Sequence, residues 1–198
     1  MMKITTASLI GLCTLGVVTV LGQETVRETI KRHKGPLELI VTRQFSPVDL
    51  KELAKDVDLI AAVIVRDDGR SHLSGDGQTI ETDHTALVVD QFFSRHPLQP
   101  SASITVSKPG GTLSIDGHTV TSYERDFPPF HSGEEYVLFL RRDDTAGHYL
   151  VAYGAQGAFR SALGNVEQVS RIGTWNAERG LVPAISFTQE LRDILKSR

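Results

Sequence analysis

The chain has 198 residues, 40% of them hydrophobic, and a formal net charge of −3. This length predicts one domain with a core of ordinary size. The slightly negative charge excludes the broad basic surface that nucleic-acid-binding proteins use, so no nucleic-acid partner is expected.

The N-terminus has the pattern of a secretory signal peptide. Lys3 supplies a positive charge, residues 7–21 are mostly apolar, and Gly22 stands where a signal peptidase would cut. The apolar run is too short for a stable bilayer crossing, so we expect residues 1–22 to be removed and the mature chain to be secreted or periplasmic, without a membrane span. An uncleaved signal anchor is the alternative. Cys13, the single cysteine, would leave with the signal, and the mature chain would then have neither disulfides nor a cysteine nucleophile.

Residues 23–45 are expected to form an N-terminal lead, either a frayed helix or a partly disordered segment, because few of the first dozen residues are apolar. Residues 37–42 within it have the pattern of a short strand. A single domain is predicted over residues 46–198. It begins with Ser46 as a helix N-cap and Pro47 at the first helical position. Apolar residues then recur at helical spacing, at Leu50, Leu53, Ala54 and Val57.

The following chain is predicted to be mainly β. Residues 59–65 are continuously apolar, which is typical of a central strand. Residues 79–93 predict a long strand whose two faces both become apolar after Thr85, and this indicates a bulge or a bend at a barrel corner. Asp116-Gly117 predicts a type I′ hairpin turn in which Leu113 opposes Val120.

The predicted fold is built around residues 127–140. Two prolines and Gly133 break regular structure there, and residues 136–140 then form an apolar run that is typical of a strand buried on both faces. The chain ends in a predicted amphipathic helix, with a capping-box pattern at residues 186–189 and apolar residues at helical spacing after it. A short N-terminal helix, a set of strands and a C-terminal helix are therefore expected.

The order of these motifs resembles a group of uncharacterised exported bacterial proteins. The resemblance covers most of the chain from Asp49 to Arg160, and it is carried by Pro109-Gly110-Gly111, by the run from Pro129 to Leu140 and by Gly157-Ala158-Phe159-Arg160. It implies a small OB-like (oligonucleotide/oligosaccharide-binding-type) antiparallel β-barrel, similar to the netrin-like modules of tissue inhibitors of metalloproteinases. The resemblance implies no activity. Those inhibitors present an N-terminal cysteine to a catalytic zinc, and a mature chain without cysteine is excluded from that mechanism.

The sequence contains no recognisable catalytic or cofactor motif. It has no Gly-x-Ser-x-Gly, no phosphate-binding loop and no closely spaced pair of histidines of the kind that binds zinc. We therefore predict no catalytic residue, no cofactor and no metal from sequence motifs.

An aromatic patch is the candidate interaction site. Tyr123, Phe127, Phe130 and His131 flank two prolines in a predicted loop, and exposed patches of this kind bind partners. The alternative interpretation is that Phe127 and Phe130 plug one end of the barrel.

Two functions follow from these observations. The first is an exported, non-enzymatic binding module whose partner is an extracellular or envelope protein or a glycan. The alternative is a secreted hydrolase with a dispersed site near residues 127–135, which would use His131 with Glu134 or Glu135. Convergence of His131, a carboxylate and a hydroxyl in one concave site would favour the hydrolase.

Overall fold

The computed structural model describes residues 16–19, 24–33, 35–41, 45–170, 175 and 179–197. The strands are β1 (Gly16–Thr19), β2 (Leu37–Val41), β3 (Leu59–Val65), β4 (Arg70–Leu73), β5 (Ile80–Ser94), β6 (Ser103–Pro109), β7 (Gly111–Ile115), β8 (His118–Glu124), β9 (Glu135–Asp143), β10 (His148–Val151), β11 (Ala158–Ala162), β12 (Asn165–Gln168) and β13 (Val182–Pro183). The helices are α1 (Val26–Arg32), α2 (Leu50–Lys55) and α3 (Ala184–Lys196), with a 3-10 turn at Gly154–Gly157.

Five strands close into a small barrel, which confirms the predicted mainly β, OB-like fold. Around the barrel the order is β10, β6, β5, β3 and β9, and β9 pairs with β10 to close the ring. The neighbouring strands are antiparallel apart from β6 and β10, which run parallel. From β9 the sheet continues outward through β11, β12 and β13, and a second sheet has the order β1, β2, β8, β7.

β9 is the central strand, and it is buried on both faces as predicted. Every residue from Tyr136 to Leu140 is at most 5% exposed. Alternate side chains point into the barrel interior, where they join one apolar cluster. The other two, Val137 and Phe139, pack outside the barrel in a cluster that includes the buried faces of α2 and α3. Each fully buried side chain of this kind contributes about 1.5–3 kcal/mol to stability. Because its side chains are buried on both faces, β9 stabilises both the barrel interior and the cluster packed outside the barrel.

The predicted irregularity in β5 and the predicted hairpin are both present. Opposite β3, the register of β5 skips Val89 and Phe92, so the strand is bulged at the barrel wall. In the hairpin, Leu113 lies opposite Val120. Asp116 and Gly117 both have positive φ, of 51° and 81°, as a type I′ turn requires.

The predicted N-cap of α2 was wrong. The helix starts at Leu50, and Asp49 is the N-cap, whose side chain accepts the Glu52 N–H at 2.7 Å. Ser46 is not the N-cap because the Gln156 side chain holds the segment before the helix. That side chain donates to the Ser46 carbonyl at 3.2 Å and accepts the Val48 N–H at 3.0 Å, so the helix starts only after Asp49.

The predicted capping box at residues 186–189 was also wrong. α3 begins at Ala184, directly after β13, and its N-cap Pro183 makes no side-chain capping bond. The Ala184 N–H instead donates to the Gly164 carbonyl at 2.9 Å, so the β11–β12 turn supplies an acceptor for the helix start. The amphipathic character of the helix is as expected, since Phe187 and Leu191 are fully buried.

The N-terminal lead contains a capped helix. Thr25 and Glu28 form a capping box at the start of α1, and Val26 and Ile30 are buried in a third apolar cluster together with residues of β2 and β8. β2 pairs in parallel with β8, so the N-terminal lead shares a sheet with the β7–β8 hairpin. β1, which falls inside the predicted signal peptide, pairs with β2, and the predicted cleavage site at Gly22 lies outside the described residues.

Pro109-Gly110-Gly111 carries the chain from the barrel into the second sheet. Gly111 has a φ of 135°, and a Cβ there would lie 2.3 Å from the side-chain oxygens of Ser71 and Thr82. Only glycine therefore fits where β7 leaves β6.

Among the described residues, no helix is long and apolar enough to span a membrane.

Candidate functional site

A cleft of about 700 Å³ opens beside the barrel end, where β8 and the following loop face β9, β11 and β12. Its volume lies within the range of natural ligand sites. The lining is polar and aromatic: Tyr123, Glu124, Arg125, Asp126, Phe127, Pro128, Pro129, His131, Glu134, Tyr136, Arg160, Glu167, Gln168 and Val169.

The loop that forms one wall of the cleft is hydrogen-bonded to β8 at its start and to the barrel at its end. At its start, the Phe127 N–H donates to the Glu124 carbonyl at 3.1 Å. At its end, the Ser132 hydroxyl donates to the Arg66 carbonyl at 3.1 Å, and the Gly133 N–H donates to the Val65 carbonyl at 2.8 Å. A wall held in this way is preorganised, so a ligand would lose little affinity to ordering it.

Phe127 and Phe130 plug the end of the barrel, which was the alternative interpretation of the aromatic patch. They are 1% and 2% exposed and belong to the interior cluster. Their rings meet edge to face at 5.5 Å, and Phe130 also contacts Tyr136 at 4.6 Å between centroids. Of the four candidate interaction residues, only Tyr123, at 40% exposure, and His131 present their side chains to solvent.

Lys108 is a residue beside the cleft that the sequence analysis did not identify. It is 4% exposed, and its Nζ donates to the Phe127 carbonyl at 3.0 Å. The ammonium lies 4.5 Å from the ring centroid of Phe127 and 5.7 Å from that of Phe130, in the geometry of cation–π contacts. A signal was available in the sequence, because Lys108 shares the strand parity of the apolar residues Ile104 and Val106.

Burial sets the charge state of Lys108. Desolvation lowers the pKa of Lys108 to about 8, while the nearby Glu124 opposes this by favouring the charged form. His84, at 2% exposure, stacks edge to face on Phe130, and the pKa of His84 is lowered chiefly by burial and further by the Lys108 charge. At neutral pH the ammonium of Lys108 is therefore a buried cation packed against the rings of Phe127 and Phe130.

His131, Glu134 and Tyr136 line the same cleft, so the structure brings together the predicted histidine, a carboxylate and a hydroxyl. The Glu134 carboxylate accepts the backbone N–H of His131 at 3.2 Å and a short hydrogen bond from the Tyr136 hydroxyl. Burial and the hydrogen bond to Glu134 both raise the pKa of Tyr136, which keeps the phenol protonated as a donor. Glu135, the other predicted carboxylate, is exposed and lies outside the cleft lining.

The described part of the chain holds no cluster of three or more metal-ligating side chains. Asp83 and His84 point to opposite faces of β5: His84 is buried, whereas the Asp83 side chain is 31% exposed and lies 3.2 Å from His72 Nε2. The pKa of His72 is raised by its hydrogen bond to the Leu73 carbonyl and by Asp83, with burial opposing.

Comparison with known proteins leaves the family open. No family model matches the sequence. The chain is 28% identical to heat shock protein 104 of Schizosaccharomyces pombe over 126 residues, which make up 62% of this chain and 13% of that protein. Because the chain spans about an eighth of that curated relative, the similarity transfers no activity.

Proposed function

We propose that the chain is an exported binding module that holds its partner, an extracellular or envelope protein or a glycan, in the cleft beside the barrel end. The observation that carries the proposal is a preformed cleft with unengaged polar groups at its rim. Within the described residues, the side chains of Tyr123, Arg125 and Asp126 make no hydrogen bond or ion pair, while the wall beside them is anchored to the barrel. The signal-peptide pattern of residues 1–22 supports export.

The test is a crosslinking pull-down from the source cell's envelope and medium, with Tyr123→Ala compared against the wild-type chain from residue 23 onward. We expect recovery of a specific partner to fall about tenfold in Tyr123→Ala, because an exposed aromatic anchor is lost. Leu163→Ala is the matched control, since Leu163 is fully exposed on the β11–β12 turn and is not a lining residue. Equal recovery by all three proteins would contradict the proposal. Mass spectrometry of the exported protein, expected to start at Gln23, tests the export step.

A secreted hydrolase is the second candidate, and the convergence of His131, Glu134 and Tyr136 in one cleft favours it. Replacing His131 with alanine is then expected to abolish turnover in a screen of hydrolase substrates. Because His131 is exposed, the thermal unfolding midpoint should stay at its wild-type value. Turnover that survives the substitution would eliminate a site built on His131.

A further inference from the structure

We infer that removal of the signal peptide opens a second binding site, at the edge of β2, and that this edge binds an extended segment of a partner protein as an added β-strand. The inference concerns a surface other than the cleft, and it rests on the proposed export of the chain with loss of residues 1–22. In the uncleaved chain the edge is filled by β1, which runs parallel to β2 with Gly16 opposite Leu37 and Thr19 opposite Ile40.

Removal of β1 leaves β2 paired on one side. The order of the second sheet is β1, β2, β8, β7, so β1 is the neighbour of β2 on the side away from β8. In a parallel ladder, alternate residues of a strand point both their N–H and their C=O toward the same neighbour. Without β1, every second residue of β2 turns its backbone donor and acceptor to solvent. Segments that bind by strand addition need an edge of this kind.

β2 itself stays in place because β8 and the apolar core hold it. All five residues of β2 pair with β8, from Leu37 opposite Val120 to Val41 opposite Glu124. The side chains of Leu37 and Leu39 are 2% and 1% exposed. These contacts are independent of β1, so the edge keeps its extended conformation after cleavage.

α1, which begins shortly after the expected cleavage site, is also anchored without β1. The Val26 N–H donates to the Gly77 carbonyl at 2.9 Å, and Arg27 forms an ion pair with Asp116 of the β7–β8 turn at 2.9 Å. The side chains of Val26 and Ile30 are buried. Because α1 and β2 are both held by the rest of the protein, the edge is preorganised and a bound segment loses little affinity to ordering it.

The edge of β2 lacks the features that discourage strand addition. β13, the outermost strand of the larger sheet, has two residues, and one of them is Pro183. A short strand and a proline both hinder pairing with a further strand. β2 has five residues, no proline and one charged side chain, Glu38. Its sequence is therefore that of a strand paired on both sides, which is how it is found in the uncleaved chain.

The residue pattern of β2 indicates which segment fits beside it. Leu37 and Leu39 face an apolar cluster, whereas Glu38 and Ile40, at the alternate positions, are partly exposed. A strand added at the edge places every second side chain next to that cluster, so the partner segment needs apolar, β-branched residues at these positions. The segment that fills the edge in the uncleaved chain, Gly-Val-Val-Thr, is rich in such residues.

The experiment titrates a labelled peptide with the sequence of residues 14–21, flanked by lysines for solubility, into two proteins. One is the exported protein purified from the source cell, with its N-terminus read by mass spectrometry, and the other is the full-length chain produced without export. We expect the exported protein to bind about tenfold more tightly or better, because β1 of the full-length chain competes for the edge. Amide exchange in β2 should be fast in the exported protein and slow again once the peptide is added.

Two N-methylated peptides are the matched pair that identifies strand addition. Each has every second backbone amide methylated, in opposite alternation, so the side chains are unchanged. The set that faces β2 should lose binding about tenfold, whereas the set that faces solvent should bind like the parent peptide. In the full-length chain, replacing Val17 and Val18 together with proline should release β1 and restore binding, and replacing both with threonine should not.

Equal binding by the exported and full-length proteins would overturn the inference, and so would identical affinities of the two methylated peptides. An exported protein that still begins at Met1 would refute the opening of the edge by cleavage. Self-association of the exported protein that the peptide dissolves, measured by ultracentrifugation, would assign the edge to a second copy of the chain instead of a partner. The pull-down with Tyr123→Ala tests the cleft without reference to this peptide, so either proposal can fail while the other stands.

Discussion

Phe130→Ala should lower the free energy of unfolding by about 3–5 kcal/mol, the range found for phenylalanines truncated in close-packed cores. Phe130 is 2% exposed and contacts Phe127, His84 and Tyr136 at ring-centroid distances of 5.5, 5.4 and 4.6 Å. Because it closes one end of a ring of strands, the surrounding backbone is poorly placed to collapse into the space left behind. Urea unfolding followed by fluorescence and circular dichroism measures the loss.

Phe45→Ala is the matched control for this substitution. Phe45 is 36% exposed and makes one edge-to-face contact, with Tyr153 at 6.4 Å, so the same change in side chain should cost less than about 1 kcal/mol. Similar losses in the two variants would show that Phe130 is not a plug. A second readout is expected in Phe130→Ala: water admitted to the cavity should raise the pKa of Lys108 toward its ordinary value.

Stability should rise with pH through the mildly alkaline range because of Lys108. The pKa of this lysine is about 8 in the folded chain, against an ordinary value of 10.5. Between these values the unfolded chain binds more protons than the folded chain, so raising the pH favours folding. For these two pKa values the linkage relation gives a gain of about 2 kcal/mol between pH 7.5 and 9.5. The gain is measured by urea unfolding at several pH values between 7.5 and 9.5.

Lys108→Met should remove most of this pH dependence, because methionine keeps much of the apolar stem and has no charge to titrate. Lys51→Met is the matched control, since Lys51 is exposed on α2, and it should keep the wild-type slope. Retention of the full slope in Lys108→Met would show that another group is responsible. Loss of the slope in both variants would point to a general effect of net charge.

Much of the barrel could be predicted because its signals are local. The unbroken apolar run of residues 136–140 predicts a strand with two buried faces. Asp116-Gly117 predicts a turn because few residue pairs accept two positive φ angles in succession. Apolar residues at both odd and even positions of β5 likewise predicted a bulge or a bend, and the structure has a bulge there. In each case the determining residues are neighbours in the chain.

The features that escaped prediction depend on partners far away in sequence. The start of α2 is decided by Gln156, and the start of α3 by the Gly164 carbonyl. The cleft draws its lining from residues spread between Tyr123 and Val169. Lys108, which lies beside the cleft, is missed when a strand pattern is examined for apolar residues alone. Local patterns contain no information about which of these segments meet.

Ring closure depends on pairings between strands that lie far apart in the chain. Leu59 at the start of β3 pairs with Leu140 of β9, and β10 must then dock on both β9 and β6. The entropy of closing such long loops is lost before the contacts are gained, which makes barrels of this type slow to fold. A ring that has not closed leaves its apolar interior open to water, and exposed apolar surface of this kind favours aggregation.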